Sequence, residues 1–250
     1  MTSALIGTTG FVGGNLKQQF AFDDHYRSTD IDSIRGKRYS LIVCAGTAAA
    51  KWLANQDPAA DRAALQKLLE PLGEVEAERF VLLSTVDVYQ RPIEVDEAAP
   101  ADAAHAYGLN RRLLEKFVAQ RFARSTIVRL PGLFGPGLKK NLIYDLLHQH
   151  QVEKINPAGI FQYYNLAHLW RDLERAEEKG IALLNLATEP VSTGEVALRC
   201  FGRTLPELSQ PAARYQVRSL HAEAFGGKGG YLYDRESVLA ELEEFVREAR

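Results

Sequence analysis

Residues 4–14 read Ala-Leu-Ile-Gly-Thr-Thr-Gly-Phe-Val-Gly-Gly. A short apolar run of strand type passes straight into Gly7, Gly10 and Gly13, and a stretch of helical spacing, Phe11 to Phe20, follows. No other feature restricts the chain as much. Gly7 permits a tight turn, Gly10 lets the backbone approach a diphosphate, and Gly13 lets the helix pack close to the sheet. The free N–H groups around Thr9, Phe11 and Val12, at the positive end of the helix dipole, would then meet the phosphates. The pattern points to a dinucleotide site, with a plain glycine turn as the alternative. It lacks the Gly-Lys-Ser/Thr of a nucleoside-triphosphate loop. So does the later run Gly226-Gly227-Lys228-Gly229-Gly230, which reads as a flexible loop.

The first half repeats this alternation. Leu41–Cys44, Phe80–Leu83 and Thr126–Val128 read as buried strands. Pro58–Leu72 and Tyr107–Phe122 read as helices, the latter with Leu109, Leu113, Leu114, Phe117, Val118 and Phe122 on one side. The expected fold class is α/β, a doubly wound parallel sheet covered on both faces. Pro131, Gly132, Gly135, Pro136 and Gly137 break the pattern. The expected organisation is therefore a sheet domain over residues 1–135 and a small substrate lobe over 136–250, with the chain rejoining the sheet at about 160–190. Within the second half, Asn141–His150 and Trp170–Lys179 read as helices and Ile181–Ala187 as a strand. Ser237 is the expected cap of a final helix running through Val246.

Composition removes several function classes. Thirty basic side chains stand against 32 acidic ones, a net charge of −2, which argues against a general nucleic-acid or membrane-surface binder. Cys44 and Cys200 make neither a disulfide framework nor a structural zinc site. His148 and His150 point to different sides of a helix, so no metal site is expected. No apolar run approaches the ~20 residues of a membrane helix, and no basic stretch leads a long apolar core at the N-terminus. A cytoplasmic protein is the expectation. No Gly-x-Ser-x-Gly supports hydrolase chemistry.

The second strand reads as His25–Ser28. After it, Asp30 and Asp32 favour NAD, whereas Arg27, Ser28 and Thr29 favour NADP. The sequence leaves that choice open. Phe80–Leu83 runs into Ser84-Thr85-Val86-Asp87-Val88-Tyr89, at the strand end where such sheets place ligands. Tyr107 and Arg111 share a helix face. A fixed cation beside Tyr107 would bring its pKa below the reference of ~10 and make it a usable acid or base. The hydroxyl of Thr85 would position a substrate oxygen.

These segments resemble the extended short-chain dehydrogenase/reductase superfamily, in its NAD-dependent epimerase/dehydratase branch. Gly7, Gly10 and Gly13 match its glycine pattern, Ser84–Tyr89 its strand-end segment, and Tyr107–Arg111 its Tyr-x-x-x-Lys. Arg129–Pro136, Phe161–Leu166 and Leu184–Pro190 resemble later segments in the same order. The resemblance implies a Rossmann fold binding NAD or NADP, with Tyr107 as general acid/base, Thr85 orienting the reacting oxygen, and reversible hydride transfer at a sugar or nucleotide-sugar carbon. It also implies that Ser28, Asp30, Cys44, Ala45, Gly46, Ser84, Tyr107, Arg111, Pro131 and Gly132 line the cofactor, and that Asp87, Lys139 and Asn141 meet a substrate diphosphate or sugar. Family analogy adds a homodimer through the two long helices.

The chain departs from the family pattern at Arg111, which keeps the charge but not the compact ammonium of lysine. Asn110 would then take part of the ribose contact. The departure and the short second lobe motivate an alternative, a non-catalytic NAD(P)-binding sensor or scaffold.

Overall fold

The structure, a computed structural model, describes residues 2–250. In chain order its elements are β1 (Ser3–Ile6), α1 (Phe11–Gln19), β2 (Asp24–Tyr26), β3 (Arg38–Cys44), α2 (Lys51–Gln56), α3 (Pro58–Leu72), β4 (Glu76–Thr85), β5 (Ile93–Val95), α4 (Ala106–Arg121), β6 (Ser125–Leu130), β7 (Gly132–Phe134), α5 (Leu142–Leu147), β8 (Ile160–Phe161), β9 (Tyr163–Asn165), α6 (Leu169–Glu178), β10 (Leu183–Asn185), β11 (Val191–Ser192), α7 (Thr193–Phe201), β12 (Gln216–Val217) and α8 (Arg235–Glu248).

Six strands form one parallel sheet in the order β10-β6-β4-β3-β1-β2. Ala4 lies opposite Asp24 on one side of β1, and Ile6 lies opposite Cys44 on the other. The chain steps from β1 out to β2, then crosses back to β3 and continues in the opposite direction. The reversal therefore falls between β1 and β3, where a doubly wound sheet leaves a crevice at the carboxyl ends of its strands. All of β1, and β3 from Tyr39 onward, are buried. That is the pattern of strands covered by helices on both faces.

Backbone contact sets the geometry of this reversal. Gly7 has φ +87°, and a Cβ there would stand 2.4 Å from the carbonyl oxygen of Ala45, just past β3. A Cβ on Gly13 would stand 2.2 Å from the Gly7 carbonyl oxygen. The two glycines thus let β1, the end of β3 and the first turn of α1 converge.

The chain divides into two compact units. The first is residues up to Arg91, Ala99–Arg129 and Leu169–Leu184; the second is Pro92–Ala98, Leu130–His168 and Asn185–Arg250. The division falls after Arg129, not at the expected residue 135. The rejoining segment is Leu169–Leu184. Pro92–Ala98 leaves the first unit because β5 pairs with β12, Ile93 opposite Gln216. In the first unit Ile6, Ile42, Phe80 and Leu82 pack with Leu65, Leu68, Leu69 and Leu72 of α3 and with Leu114, Val118 and Phe122 of α4. In the second, Phe134, Ile143, Val191 and Val196 pack with Leu239, Leu242 and Val246 of α8.

Several expected elements differ at their ends. β2 stops at Tyr26, because Arg27–Asp30 closes a turn with the Asp30 N–H donating to the Arg27 carbonyl. α5 ends at Leu147, before the left-handed Gln149 and Gln151. The strand expected over Ile181–Ala187 is confined to Leu183–Asn185. Asp234, not Ser237, caps α8, and its carboxylate accepts the Ser237 N–H. Among the described residues, no helix is long and apolar enough to cross a membrane.

Two adjacent glycines give a direct test of the backbone argument. Gly13→Ala should lose about 1–3 kcal/mol through backbone overpacking, lowering Tm by roughly 2–12 °C. A Cβ on Gly14 meets nothing within 4 Å, so Gly14→Ala should gain ~0.5–1 kcal/mol from lower chain entropy. Thermal denaturation of both variants checks this; similar shifts in the two would contradict it.

Candidate active site

The site is built on the carboxyl ends of β1, β3 and β4 and on the first turns of α1 and α4. At β1, the Gly7 N–H donates to the Tyr26 carbonyl at 2.8 Å and the Gly10 N–H to the Gly7 carbonyl at 3.0 Å. Gly10 is the N-cap of α1 with no side-chain cap, and the first turn of α1 carries no acidic residue. Thr9 and Gly10 are exposed, and Phe11 and Val12 are half-buried. A Cβ on Gly10 would meet only the Gly7 carbonyl oxygen, at 3.3 Å. The protein itself thus asks little of a glycine at position 10. The bare backbone leaves room for a ligand against an uncompensated helix N-terminus, which is the shape and charge a diphosphate needs.

The residues after β2 do not separate NAD from NADP. The Asp30 carboxylate accepts from the Arg27 backbone N–H and from its Nε at 2.9 Å, so the acid and the base hold one another. These contacts from Arg27 keep the Asp30 carboxyl below its usual range. Ser28 is exposed. Past β3, Ala45 and Gly46 line the turn against Gly7. Cys44 does not join them with its side chain. It belongs to the core, and burial pushes its thiol up to about 11.

At the end of β4 the hydroxyls diverge. Ser84 is buried and donates to Glu115 Oε1 at 2.6 Å. Expected on the cofactor, its hydroxyl instead faces the sheet–helix interface, because alternate residues of a strand point to opposite faces. Thr85 points the other way, and its Oγ1 accepts the Asp87 N–H at 3.1 Å. The Asp87 carboxylate is ion-paired with Lys51 Nζ of α2 at 2.7 Å.

α4 brings Tyr107 to this edge. His105 caps the helix, its Nδ1 accepting the Gly108 N–H at 3.1 Å, while Asn55 accepts the Tyr107 N–H at 3.0 Å. A Cβ on Gly108 would stand 2.4 Å from the Asp87 carbonyl oxygen. This glycine therefore allows the start of α4 to lie directly on the loop that follows Thr85. Tyr107 is 7% exposed. Burial dominates its titration and pushes the phenol up; Arg111 and the Thr85 hydroxyl pull it down, and Asp87 pushes it further up. The expected net depression by the cation is thus reversed. Arg111 does stabilise the phenolate, but desolvation disfavours that charge more.

Arg111 is 3% exposed and does not reach outward. Its Nη1 and Nη2 donate to the Asp61 carboxylate at 3.3 and 3.1 Å, and Nη2 also donates to the Ala48 carbonyl at 2.6 Å. Asn110 is likewise engaged. Its Nδ2 donates to Asp61 at 2.7 Å, and its Oδ1 accepts from Arg62 at 3.3 Å.

Behind these groups lies a buried ion pair, Glu115–Arg129, with side chains 0% and 2% exposed. Arg129 donates to Glu115 through Nε at 2.9 Å and Nη2 at 2.8 Å, and through Nη1 to the Tyr89 hydroxyl at 2.7 Å.

The first unit holds Gly7, Thr9, Gly10, Phe11, Val12, Gly13, Ala45, Gly46, Thr85, Asp87, Tyr107 and Arg111. Pro131, Gly132, Lys139 and Asn141 belong to the second unit. There the backbone at Gly132 runs beside β9, where a Cβ would stand 2.7 Å from the Gln162 carbonyl oxygen. Asn141, expected on substrate, spends its side chain on the fold. Its Oδ1 caps the N–H groups of Ile143 and Tyr144, and its Nδ2 donates to Leu133. Lys139 is exposed. Among the described residues no group of three potential ligands gathers for a metal.

No protein-family model matches the chain, and no curated protein matches it. Solved structures do. WbmG of Bordetella bronchiseptica, in complex with NAD and UDP, superposes with a TM-score of 0.76 at 16% identity, covering 98% of this chain and 94% of that one. UDP-glucose 4-epimerase of Thermotoga maritima, with UDP-glucose, gives 0.74 at 14% identity over 99% of both chains. The dTDP-4-dehydrorhamnose reductase of Bacillus anthracis, in complex with NADP, gives 0.73 at 18% identity over 99% of both. The fold is the one these enzymes share.

The buried pair predicts a stability signature. Glu115→Gln leaves the Arg129 guanidinium uncompensated and should lose about 3–5 kcal/mol. Chemical denaturation should register the whole loss, whereas a loss below ~1 kcal/mol would mean that the pair behaves as a surface one.

Proposed function

We propose that this chain is an extended short-chain dehydrogenase/reductase that uses NAD or NADP and acts on a sugar or nucleotide-sugar by reversible hydride transfer. The observation that carries the reading is the meeting of Tyr107 and Thr85 at the carboxyl edge of the sheet that bears the Gly7–Gly13 turn. The turn fits a dinucleotide because Gly10 leaves bare backbone whose missing Cβ would meet a single protein atom, the Gly7 carbonyl oxygen. The nicotinamide supplies the hydride chemistry when bound. Tyr107 exchanges a proton with the reacting oxygen, and the Thr85 hydroxyl orients that oxygen. Lys51 and Asp87 form the polar edge beside them. The substrate class is supported by the neighbours of this fold that were solved with UDP-glucose, or with NAD and UDP.

A second reading, a cofactor-binding protein without turnover, draws on Arg111. Asp61 and Ala48 take up its terminal nitrogens, and burial holds the phenol above its ordinary range.

Thermal shifts and one variant separate these readings. A ligand at 100 times its Kd adds about 2.7 kcal/mol, so NAD⁺ or NADP⁺ should raise Tm by roughly 5–11 °C. The larger of the two shifts identifies the cofactor. Gly10→Ala should keep the unliganded Tm near that of the parent and remove most of the shift; an unchanged shift would remove the turn from the site. Tyr107→Phe should retain the cofactor shift and abolish turnover of a nucleotide-sugar. Turnover undiminished in that variant refutes the acid/base role.

A further inference from the structure

We infer that Asp61 is a positioning residue of the candidate active site, clamping Arg111 beside Tyr107 and withholding it from other partners. The inference rests on the proposed role of Tyr107. Asp61 lies in the first turn of α3, a helix started by Pro58 and capped by Asp57. Its side chain is 7% exposed. Both of its oxygens accept from Arg111, and Oδ2 also accepts from Asn110.

The clamp has a third point, the Ala48 carbonyl, which lies between β3 and α2. Together these contacts set the guanidinium carbon 4.5 Å from the centroid of the Tyr107 ring. Arg111 Nε is buried with no hydrogen-bond partner. The position of the fork is set by its two terminal nitrogens. Arginine at 111 and aspartate at 61 therefore act as one unit. The planar fork suits a carboxylate held on two donors, which a lysine ammonium would not reproduce.

The clamp has an electrostatic consequence. A bare cation at this distance would favour the phenolate, and a carboxylate paired to that cation cancels much of the effect. Other charged and titratable groups stand around this cluster. Asp87 is paired with Lys51. The His105 ring lies roughly parallel to that of Tyr107 at 6.5 Å, and its Nδ1 acts as an acceptor in the helix cap. Arg62 is bonded to Asn110.

The test is a pH titration of the Tyr107 phenol, read by ¹³C NMR of the full-length protein labelled at tyrosine Cζ, with neither cofactor nor substrate. The Tyr107 signal is the one missing from Tyr107→Phe. Asp61→Asn should lower the midpoint by about one pH unit or more, the effect of an unpaired cation on a neighbouring acid. Asp61→Glu should return it toward the parent value. The double variant Asp61→Asn/Arg111→Met removes both buried charges and should bring the midpoint back to or above that of the parent. An unmoved midpoint in Asp61→Asn overturns the inference, as does a double variant that keeps the lowered value. If Asp61→Asn does not fold, the double variant alone decides, and a midpoint below the parent overturns the inference. Turnover plays no part in the readout. Loss of the proposed catalytic role, seen as activity in Tyr107→Phe, is thus distinguishable from failure of the clamp.

Discussion

The Glu115 carboxylate is the point on which the candidate site's edge of the sheet is assembled. It sits at 0% exposure and accepts four hydrogen bonds: from Ser84 at the end of β4, from Arg112 on its own helix, and from two nitrogens of Arg129 on β6. A buried charge is tolerated only when its lone pairs are filled in this way. Three neighbouring elements are therefore locked in register by one residue. Arg129 carries the lock on to Tyr89, beyond the loop that holds Thr85 and Asp87. With Ser84 held on Glu115, Thr85 follows at the strand end and its hydroxyl reaches Tyr107 in the first turn of α4.

Against that fixed frame, fine placement comes from missing Cβ atoms. Gly7 lets the end of β1 meet the end of β3, Gly13 lets α1 settle on the turn, and Gly108 lets α4 lie on the Asp87 carbonyl. In each case a side chain would collide with main chain, which cannot swing aside as a flexible side chain can. Gly10 is of a different kind, since almost nothing in the protein crowds its position. Crowded glycines and a nearly uncrowded one thus stand within one turn of each other. They are told apart by what a Cβ would meet.

This distinction explains how far the sequence could be read. Strands, long helices and the glycine turn were legible because they rest on local periodicity and on backbone rules. Tyr107 and Thr85 could be assigned to one edge of the sheet, since strand ends and helix starts meet there. Glu115 left a faint trace, an acid on the stripe of α4 that also carries Leu114 and Val118. Asp61, Ala48 and Asn55 left none. They lie about 50 or more residues before the groups they hold, and each acts through a tertiary contact. Ser84 and Asn141 failed for the opposite reason. Both are polar residues at plausible positions, and the fold uses up their hydrogen bonds first.

Arginine at 111, where the resembled Tyr-x-x-x-Lys pattern has lysine, is therefore tied to residues elsewhere in the chain. A lysine point charge can swing among several acceptors, whereas a planar guanidinium at 3% exposure needs a partner that matches its fork. Asp61 and the Ala48 carbonyl supply that match from two other elements, α3 and the segment after β3. Once paired, the cation contributes less to stabilising a phenolate. Burial outweighs the pull of the cation and pushes the Tyr107 phenol above its ordinary range. A motif read along the chain gives the sign of a charge. Its effect on a neighbouring acid depends on which counter-charge the fold has already assigned to it.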